Sequence, residues 1–314
     1  TGALFDKMPS YRGRPEHLEN HAAVCPGCGV GCGLIAQTRY GKVIRVIGDE
    51  SCPLNEGHTC RIGRYESIVY DHKRVEKPAM GGRDNGLDWE GSVTVLKENL
   101  KSSEGSKRVL ALTSRATLEA CEEATALLDA LGDNAVATLL DVDRPPQPAP
   151  THEYRCLQEA DVIWVVDCAP TRIAPVLASM IRRRVRKRQV KLIVCGRRRT
   201  ELDRHASVVL DLKAEGVATL IAEGLGEKGV SVEGLDGRAL RTLQESLDTS
   251  LRHVIVTSDR PDRRGRISVY PRERIEGLSG VDIKIFDITA GRNTLGIASL
   301  LGDRLVDRNR LYQE

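Results

Sequence analysis

Three cysteines fall within eight positions in VCPGCGVGCGL (residues 24–34), at Cys25, Cys28 and Cys32, with glycines interleaved among them. Thiols so placed can converge on one metal group, because a glycine-rich backbone curves closely without side chains in the way. A tetrahedral metal or a cubane cluster requires a fourth ligand. Two cysteines could supply it: Cys52, beside Pro53 in ESCPLNEG, and Cys60, between Gly57 and Gly63 in NEGHTCRIGR. Cys60 is the better placed, since its flanking glycines permit a close approach, and it completes a C-x2-C-x3-C-x27-C pattern. Zinc usually takes its ligands as two separated C-x2-4-C pairs. Three ligands from one loop and one from afar suit a 4Fe-4S cluster, with structural zinc and free thiols as the alternatives. The expected metal ligands are therefore Cys25, Cys28, Cys32 and Cys60, with N–H groups of Gly29, Gly31 and Gly33 as donors toward the sulfurs.

The other cysteines, Cys121, Cys156, Cys168 and Cys195, show no ligand spacing and read as small buried hydrophobes. His58 and His205 are lone histidines, more often structural than ligating; His58, two residues before Cys60, could hydrogen-bond near the cluster.

The elements that position these residues divide the chain. Residues 1–20 read as a linker, 21–80 as a small cysteine-rich module, 81–105 as a connection and 106–314 as a larger α/β domain. Within the module, GLIAQTRYGKVIRVIG (33–48) is a pair of alternating strands around a YGK turn. In the connection, Val93, Leu96 and Leu100 share one helical side. After Lys107 strands and helices alternate: RVLALT (108–113), a helix over 117–132, AVATLL (135–140), DVIWVVD (161–167), a basic helix over 172–188, VKLIVCG (190–196), SVVLDLK (207–213), a helix over 216–225, HVIVTS (253–258) and VDIKIFD (281–287). Continuous Val/Ile/Leu runs mark strands covered on both faces, hence a doubly wound, mostly parallel Rossmann-like sheet.

Composition limits the function. A chain of 314 residues buries a core without disulfides, and nine cysteines with no apolar leader or membrane-length apolar run imply a reducing, cytoplasmic setting. The net charge is +3 and aromatics make up 4%, poor provision for base stacking, so nucleic acid is not an expected partner. The arginines of IRRRVRKRQVK (181–191) and GRRRT (196–200) read first as a solvated face and second as a docking surface for an acidic subunit.

CPGCGVGCG, followed by GKVIRVIGD and NEGHTCRIGRYE, resembles the N-terminal cluster module of the molybdopterin oxidoreductases, formate dehydrogenase catalytic subunits among them. It resembles equally the large iron–sulfur subunit of complex I and of NAD-linked hydrogenases, where the same cysteine spacing binds a 4Fe-4S cluster. DHKRVEKPAM (71–80), DWEGSVTVLKENL (88–100), EADVIWVVDCAPTRIAPVL (159–177), KLIVCGRRRTELDRHASVVLDLK (191–213) and AGRNTLGIASLLGD (290–303) are similar, in order, to weaker family elements. The opening TGALFDK is similar to the join after a ferredoxin-like module, which implies such a module upstream. Arg61 stands where catalytic relatives often carry a Lys between cluster and pterin, and so is a cofactor-binding candidate; a surface arginine is the equal alternative.

The departures from the family bear on catalysis. Where the metal thiolate is expected, LGDNAVATLLDVDRPPQPAP (131–150) holds no Cys or Ser; Asp141 and Asp143 are the available carboxylates, in no recognisable ligand motif. Where the pterin nucleotide would meet acidic acceptors, the chain has Cys195, Gly196 and Arg197, and Glu215, Gly216 and Val217. The resemblance thus implies one 4Fe-4S cluster, no molybdopterin, and a non-catalytic electron-transfer subunit of an NAD(P)-linked complex. Its partners would be flavin- or NAD(P)-binding and iron–sulfur subunits in a hetero-oligomer, with any membrane association made through them. A Mo/W-pterin formate dehydrogenase-type subunit and a structural or assembly module are the competing readings.

Overall fold

The structure is a computed structural model that describes residues 14–70, 77–79, 88–103, 105–140, 154–197, 199–225, 232, 235–258, 278, 280–289, 300–301 and 304–306. TGALFDK, most of DHKRVEKPAM, Asp141, Asp143 and most of AGRNTLGIASLLGD lie outside the described residues.

Strands β1 (Glu19–Val24), β2 (Gly33–Arg39) and β3 (Lys42–Gly48) form an antiparallel sheet in that order. The β2–β3 turn places Tyr40 and Gly41 at φ 52° and 72°. Two successive positive φ values suit a tight hairpin, because that twist matches the strands it joins. The edge strand β1 was not expected: its six residues are all exposed, so ENHAAV carries no inward alternation to announce a strand. Helix α1 (Arg61–Tyr70) follows directly on Cys60.

Helix α2 (Trp89–Ser102) starts at an Asp88 cap whose carboxylate accepts from the Gly91 N–H. It buries none of its residues: Trp89, Val93 and Leu96 are 69%, 45% and 56% exposed, so no described residue covers its apolar side.

Strands β4 (Arg108–Leu112) and β5 (Ala135–Leu139) pair in parallel around helix α3 (Leu118–Leu131), and they stand apart from the main sheet. Their small core gathers Cys121, Leu128 and Ala137 with Leu301 and Leu305.

The main sheet has five parallel strands: β6 (Val162–Val166), β7 (Lys191–Cys195), β8 (Val208–Leu210), β9 (His253–Ser258) and β10 (Ile283–Ile288), in the order β10-β9-β6-β7-β8. Helices α4 (Arg155–Glu159), α5 (Pro170–Ile173), α6 (Pro175–Arg186), α7 (Ala214–Leu225) and α8 (Gly237–Ser246) complete the body. Successive residues of β6 face opposite ways, as strand geometry requires. Ile163 and Val165 join a core with Leu177 and Ile181 of α6; Val162, Trp164 and Val166 join another with Val217 and Ile221 of α7 and Leu243 of α8. The sheet is therefore covered on both faces, as the sequence indicated. Each fully buried aliphatic side chain contributes about 1.5–3 kcal/mol, and these two cores make the sheet the rigid part of the molecule.

One helix differs from expectation. The basic stretch expected as a single helix over 172–188 is two, because Pro175 has no N–H to donate and disfavours helical backbone at Ala174, which sits at φ −145°, ψ 67°. That break places the start of α6 where the cysteine module packs.

Candidate metal centre

The cysteine loop is closed by its own backbone: the Cys25 N–H donates to the Cys32 carbonyl at 2.9 Å, and the Gly31 N–H to the Cys28 carbonyl at 3.3 Å, with Gly31 at φ 66°. This folds Cys25, Cys28 and Cys32 inward, where they are 5%, 8% and 6% exposed. Cys60 reaches the same place from the far side of the module. Its carbonyl accepts the Arg64 N–H at 3.1 Å, so Cys60 is the residue on which α1 begins.

The four thiols line one small recess, open on one side. The remaining wall includes Ile62 of α1 and Ala174, Pro175 and Val176 at the start of α6. Cys52 is not part of this wall; its side chain lies against Gly33, where an added Cβ would come within 2.9 Å of the Cys52 sulfur. Arg61 is exposed in the first turn of α1 and does not line the recess.

A buried asparagine joins the two arms that carry the thiols. Asn55 is 1% exposed; its Oδ1 accepts the Gly33 N–H at 2.8 Å, and its Nδ2 donates to the Gly33 carbonyl at 3.0 Å and the His58 carbonyl at 2.8 Å. It thereby fixes the residue after Cys32 to the segment that delivers Cys60. Glycine backbone makes that approach feasible: a Cβ on Gly48 would stand 2.0 Å from the Gly57 carbonyl oxygen.

The body closes the site from the other side. The Gly29 N–H donates to the Thr289 carbonyl just beyond β10, and a Cβ on Gly29 would meet Thr289 at 2.1 Å. Gln158 donates to the Pro53 carbonyl at 3.2 Å, and the Arg183 guanidinium pairs with Glu56. Hydrogen bonding to Arg183 holds the Glu56 carboxyl below its usual value.

These bonds correct one expectation. The N–H groups of Gly29, Gly31 and Gly33 donate to Thr289, Cys28 and Asn55, so none of the three is reserved for the sulfurs. The favourable field comes instead from helix ends. The first residues of α1 and of α6 both border the recess, and α6 opens on Ala174 without a side-chain cap. Unsatisfied first-turn N–H groups give a helix a partial positive charge there, which favours thiolates.

Burial pushes the Cys32 thiol up to about 12, and the neighbouring Cys28, Cys25 and Cys60 add to the rise. Thiols crowded in this way keep their protons unless cations replace them, which is the chemistry of a metal-binding set. A single zinc would draw four sulfurs to about 2.3 Å from one point. Among the described residues no three His, Cys, Asp or Glu side chains are gathered to hold one ion.

Asn55, Thr289 and the Ala174–Val176 wall were not anticipated. Asn55 had a faint signal, a polar residue in a turn three residues before His58; the others had none, because only the tertiary fold brings them near.

Among the described residues no helix is long and apolar enough to cross a membrane. Residues 18–67 match the family described as molybdopterin oxidoreductase Fe4S4 domain. The chain is 32% identical over 179 residues to NADH-quinone oxidoreductase subunit 3 of Thermus thermophilus, covering 56% of this chain and 23% of that protein. It is 26% identical over 255 residues to the NADPH-Fe(3+) oxidoreductase subunit alpha of Geobacter sulfurreducens, covering 76% and 30%. It is 27% identical over 223 residues to another NADH-quinone oxidoreductase subunit, from Rhizobium meliloti, covering 67% and 26%. The chain thus spans between a fifth and a third of the length of these relatives. Residues 18–67 are a molybdopterin oxidoreductase Fe4S4 domain, and the chain that carries them is a relative of the NADH-quinone and NADPH-Fe(3+) oxidoreductase subunits.

Proposed function

We propose that this chain is an electron-relay part of a multisubunit NAD(P)-linked oxidoreductase, holding one 4Fe-4S cluster and no catalytic centre of its own. The observation that carries the reading is the meeting of Cys25, Cys28, Cys32 and Cys60 in one recess. When bound, such a cluster supplies one-electron redox chemistry. The chain's own residues hold and screen it. The four thiols are the ligands, Asn55 sets the distance between the two ligand arms, and Ile62, Pro175 and Val176 exclude water from one side. The ends of α1 and α6 offset negative charge in the recess. Arg61 stands exposed beside Cys60 as a nearby cation rather than a wall residue.

The proposal keeps the division into linker 1–20, module 21–80, connection 81–105 and body 106–314. It includes no molybdopterin, because the sequence offers no Cys or Ser where the family resemblance places the metal ligand. Partners would be flavin- or NAD(P)-binding and iron–sulfur subunits, in a cytoplasmic hetero-oligomer. The names of the relatives, both NADH- and NADPH-linked, support a nicotinamide-linked complex.

Anaerobic reconstitution tests this reading. The expected outcome is four iron and four sulfide per chain, a reducible EPR-active centre, and neither molybdenum nor tungsten in the protein isolated from cells. Zinc without sulfide, or stoichiometric molybdenum or tungsten with a pterin, would overturn it.

A further inference from the structure

The arginine run on α6 does two jobs for the fold and leaves a remainder. Arg183 pairs with Glu56 of the cysteine module. Arg184 donates to the carbonyls of Leu157, Ala160 and Gln189, tying α6 to α4 and to its own C-terminal end. Arg182 and Arg186, one turn apart, have neither role. Among the described residues they have no carboxylate partner, and Arg204, in the short 3-10 turn Asp203–His205, has none either. All three act on His205, whose ring is held below its usual value by burial and by Arg186, Arg182 and Arg204. Helix α6 and that turn pack together, Ile181 and Val185 sharing a core with Leu202 and Ala206, so three guanidiniums from two neighbouring elements share one surface.

Like charges one helical turn apart repel and work against the helix that carries them. Among the described residues no carboxylate pairs with these three cations, and Arg186 and Arg204 are exposed. Their location gives them a use. Helix α6 starts at the recess wall, with Pro175 and Val176 lining it, so at about 1.5 Å per residue Arg182 lies about 10 Å and Arg186 about 16 Å along the helix from that wall.

We propose that the Arg182–Arg186–Arg204 face is the docking surface for an acidic redox protein, held beside the cysteine recess. This rests on the electron-relay reading above. Convergent positive charge raises the rate of encounter with an acidic partner and fixes its orientation, and both effects weaken with salt. The surface offers guanidiniums that can grip carboxylates in pairs, and no exposed aromatic among the described residues of these two elements for stacking bases.

The test uses the full chain with its cluster reconstituted and a small acidic ferredoxin as the probe. Binding of the oxidised ferredoxin is measured by surface plasmon resonance between about 20 and 500 mM salt, near and beyond the range where screening sets in. Reduction of the chain is followed by stopped flow with the reduced ferredoxin and, separately, with the methyl viologen radical. The variant R182Q/R186Q/R204Q is expected to lose about tenfold or more in ferredoxin affinity and rate at low salt and to flatten the salt dependence. Its rate with methyl viologen should be unchanged, and the single variant R186Q should give part of the loss. Equal ferredoxin binding by wild type and variant across the salt series would overturn the proposal. So would loss of binding to a duplex oligonucleotide or to phosphatidylserine vesicles with ferredoxin binding intact, which would assign the face to nucleic acid or membrane. If methyl viologen cannot reduce the chain, the relay reading fails, while docking is still judged by binding of the oxidised probe.

Discussion

Replacing Asn55 by alanine removes the bond between the two ligand arms without touching a thiol. Three hydrogen bonds disappear: one to the Gly33 N–H and two from Nδ2, to the Gly33 and His58 carbonyls. The Gly33 carbonyl keeps its bond from the Asp49 N–H, so the groups left without a partner are the Gly33 N–H and the His58 carbonyl. At roughly 1–3 kcal/mol for each buried group left unsatisfied, the local cost is about 3 kcal/mol, close to a hundredfold in the equilibrium for opening this loop. Native-state hydrogen exchange reads it directly. In Asn55→Ala the Gly33 amide should exchange about a hundred times faster, with little change in α7, which packs in the core on the other face of the sheet. Iron release to a chelator should accelerate in parallel, because the segment that delivers Cys60 is then less firmly tied to the arm that carries Cys32. Asn55→Asp should be no better, since it keeps the acceptor for Gly33 but faces two carbonyls with a carboxylate. Wild-type protection of Gly33 in Asn55→Ala, with unchanged iron release, would refute the role assigned to Asn55.

Other substitutions test neighbouring parts. Cys60→Ser should bring reconstituted iron and sulfide well below four per chain, whereas Cys52→Ser should retain both, because only Cys60 lines the recess; colorimetric iron and sulfide analysis distinguishes them. Gly48→Ala places a methyl 2.0 Å from the Gly57 carbonyl oxygen, so the Cys60 arm must shift, and the melting temperature and iron content should fall together. His253, fully buried, accepts from the Trp164 indole N–H at 3.4 Å and donates to the Asp248 carbonyl at 3.0 Å, an arrangement that requires a neutral ring. Burial lowers its folded-state value below the ordinary 6.5, against the opposing pull of the Asp248 carbonyl, Asp161, Asp248 and Asp282. The unfolded chain therefore binds the proton first: His253 adds no pH dependence above about 6.5, and stability declines as pH falls from there toward the folded value. The difference in urea midpoint between wild type and His253→Gln should change over that window and be flat above it.

The ligand pattern was legible because it is local: three thiols on one turn and a fourth flanked by glycines can be read without knowing the fold. The sheet strands were legible for a similar reason, since VIWVV and KLIVC are continuous apolar runs that only a two-sided burial explains. Legibility ended where tertiary contacts took over. The arginines of α6 looked like one solvated run, yet Arg183 and Arg184 are structural, a difference decided by Glu56 and by the carbonyls of Leu157 and Ala160. The strand β1 is exposed throughout and leaves no periodic trace, and the glycine N–H groups expected to face the sulfurs were claimed by partners as distant as Thr289.

The seam between Gly29 and Thr289 sets an order of events during synthesis. Thr289 is added more than two hundred residues after Cys60, which at about 5–20 residues per second is about 10–45 s. For that interval the nascent chain has all four thiols but neither the Thr289 carbonyl nor a finished sheet behind α6. The thiols are then open to oxidants that the completed recess keeps out, so the chain relies on a reducing surrounding during translation, and the recess that receives iron and sulfide is closed only once Thr289 has been added.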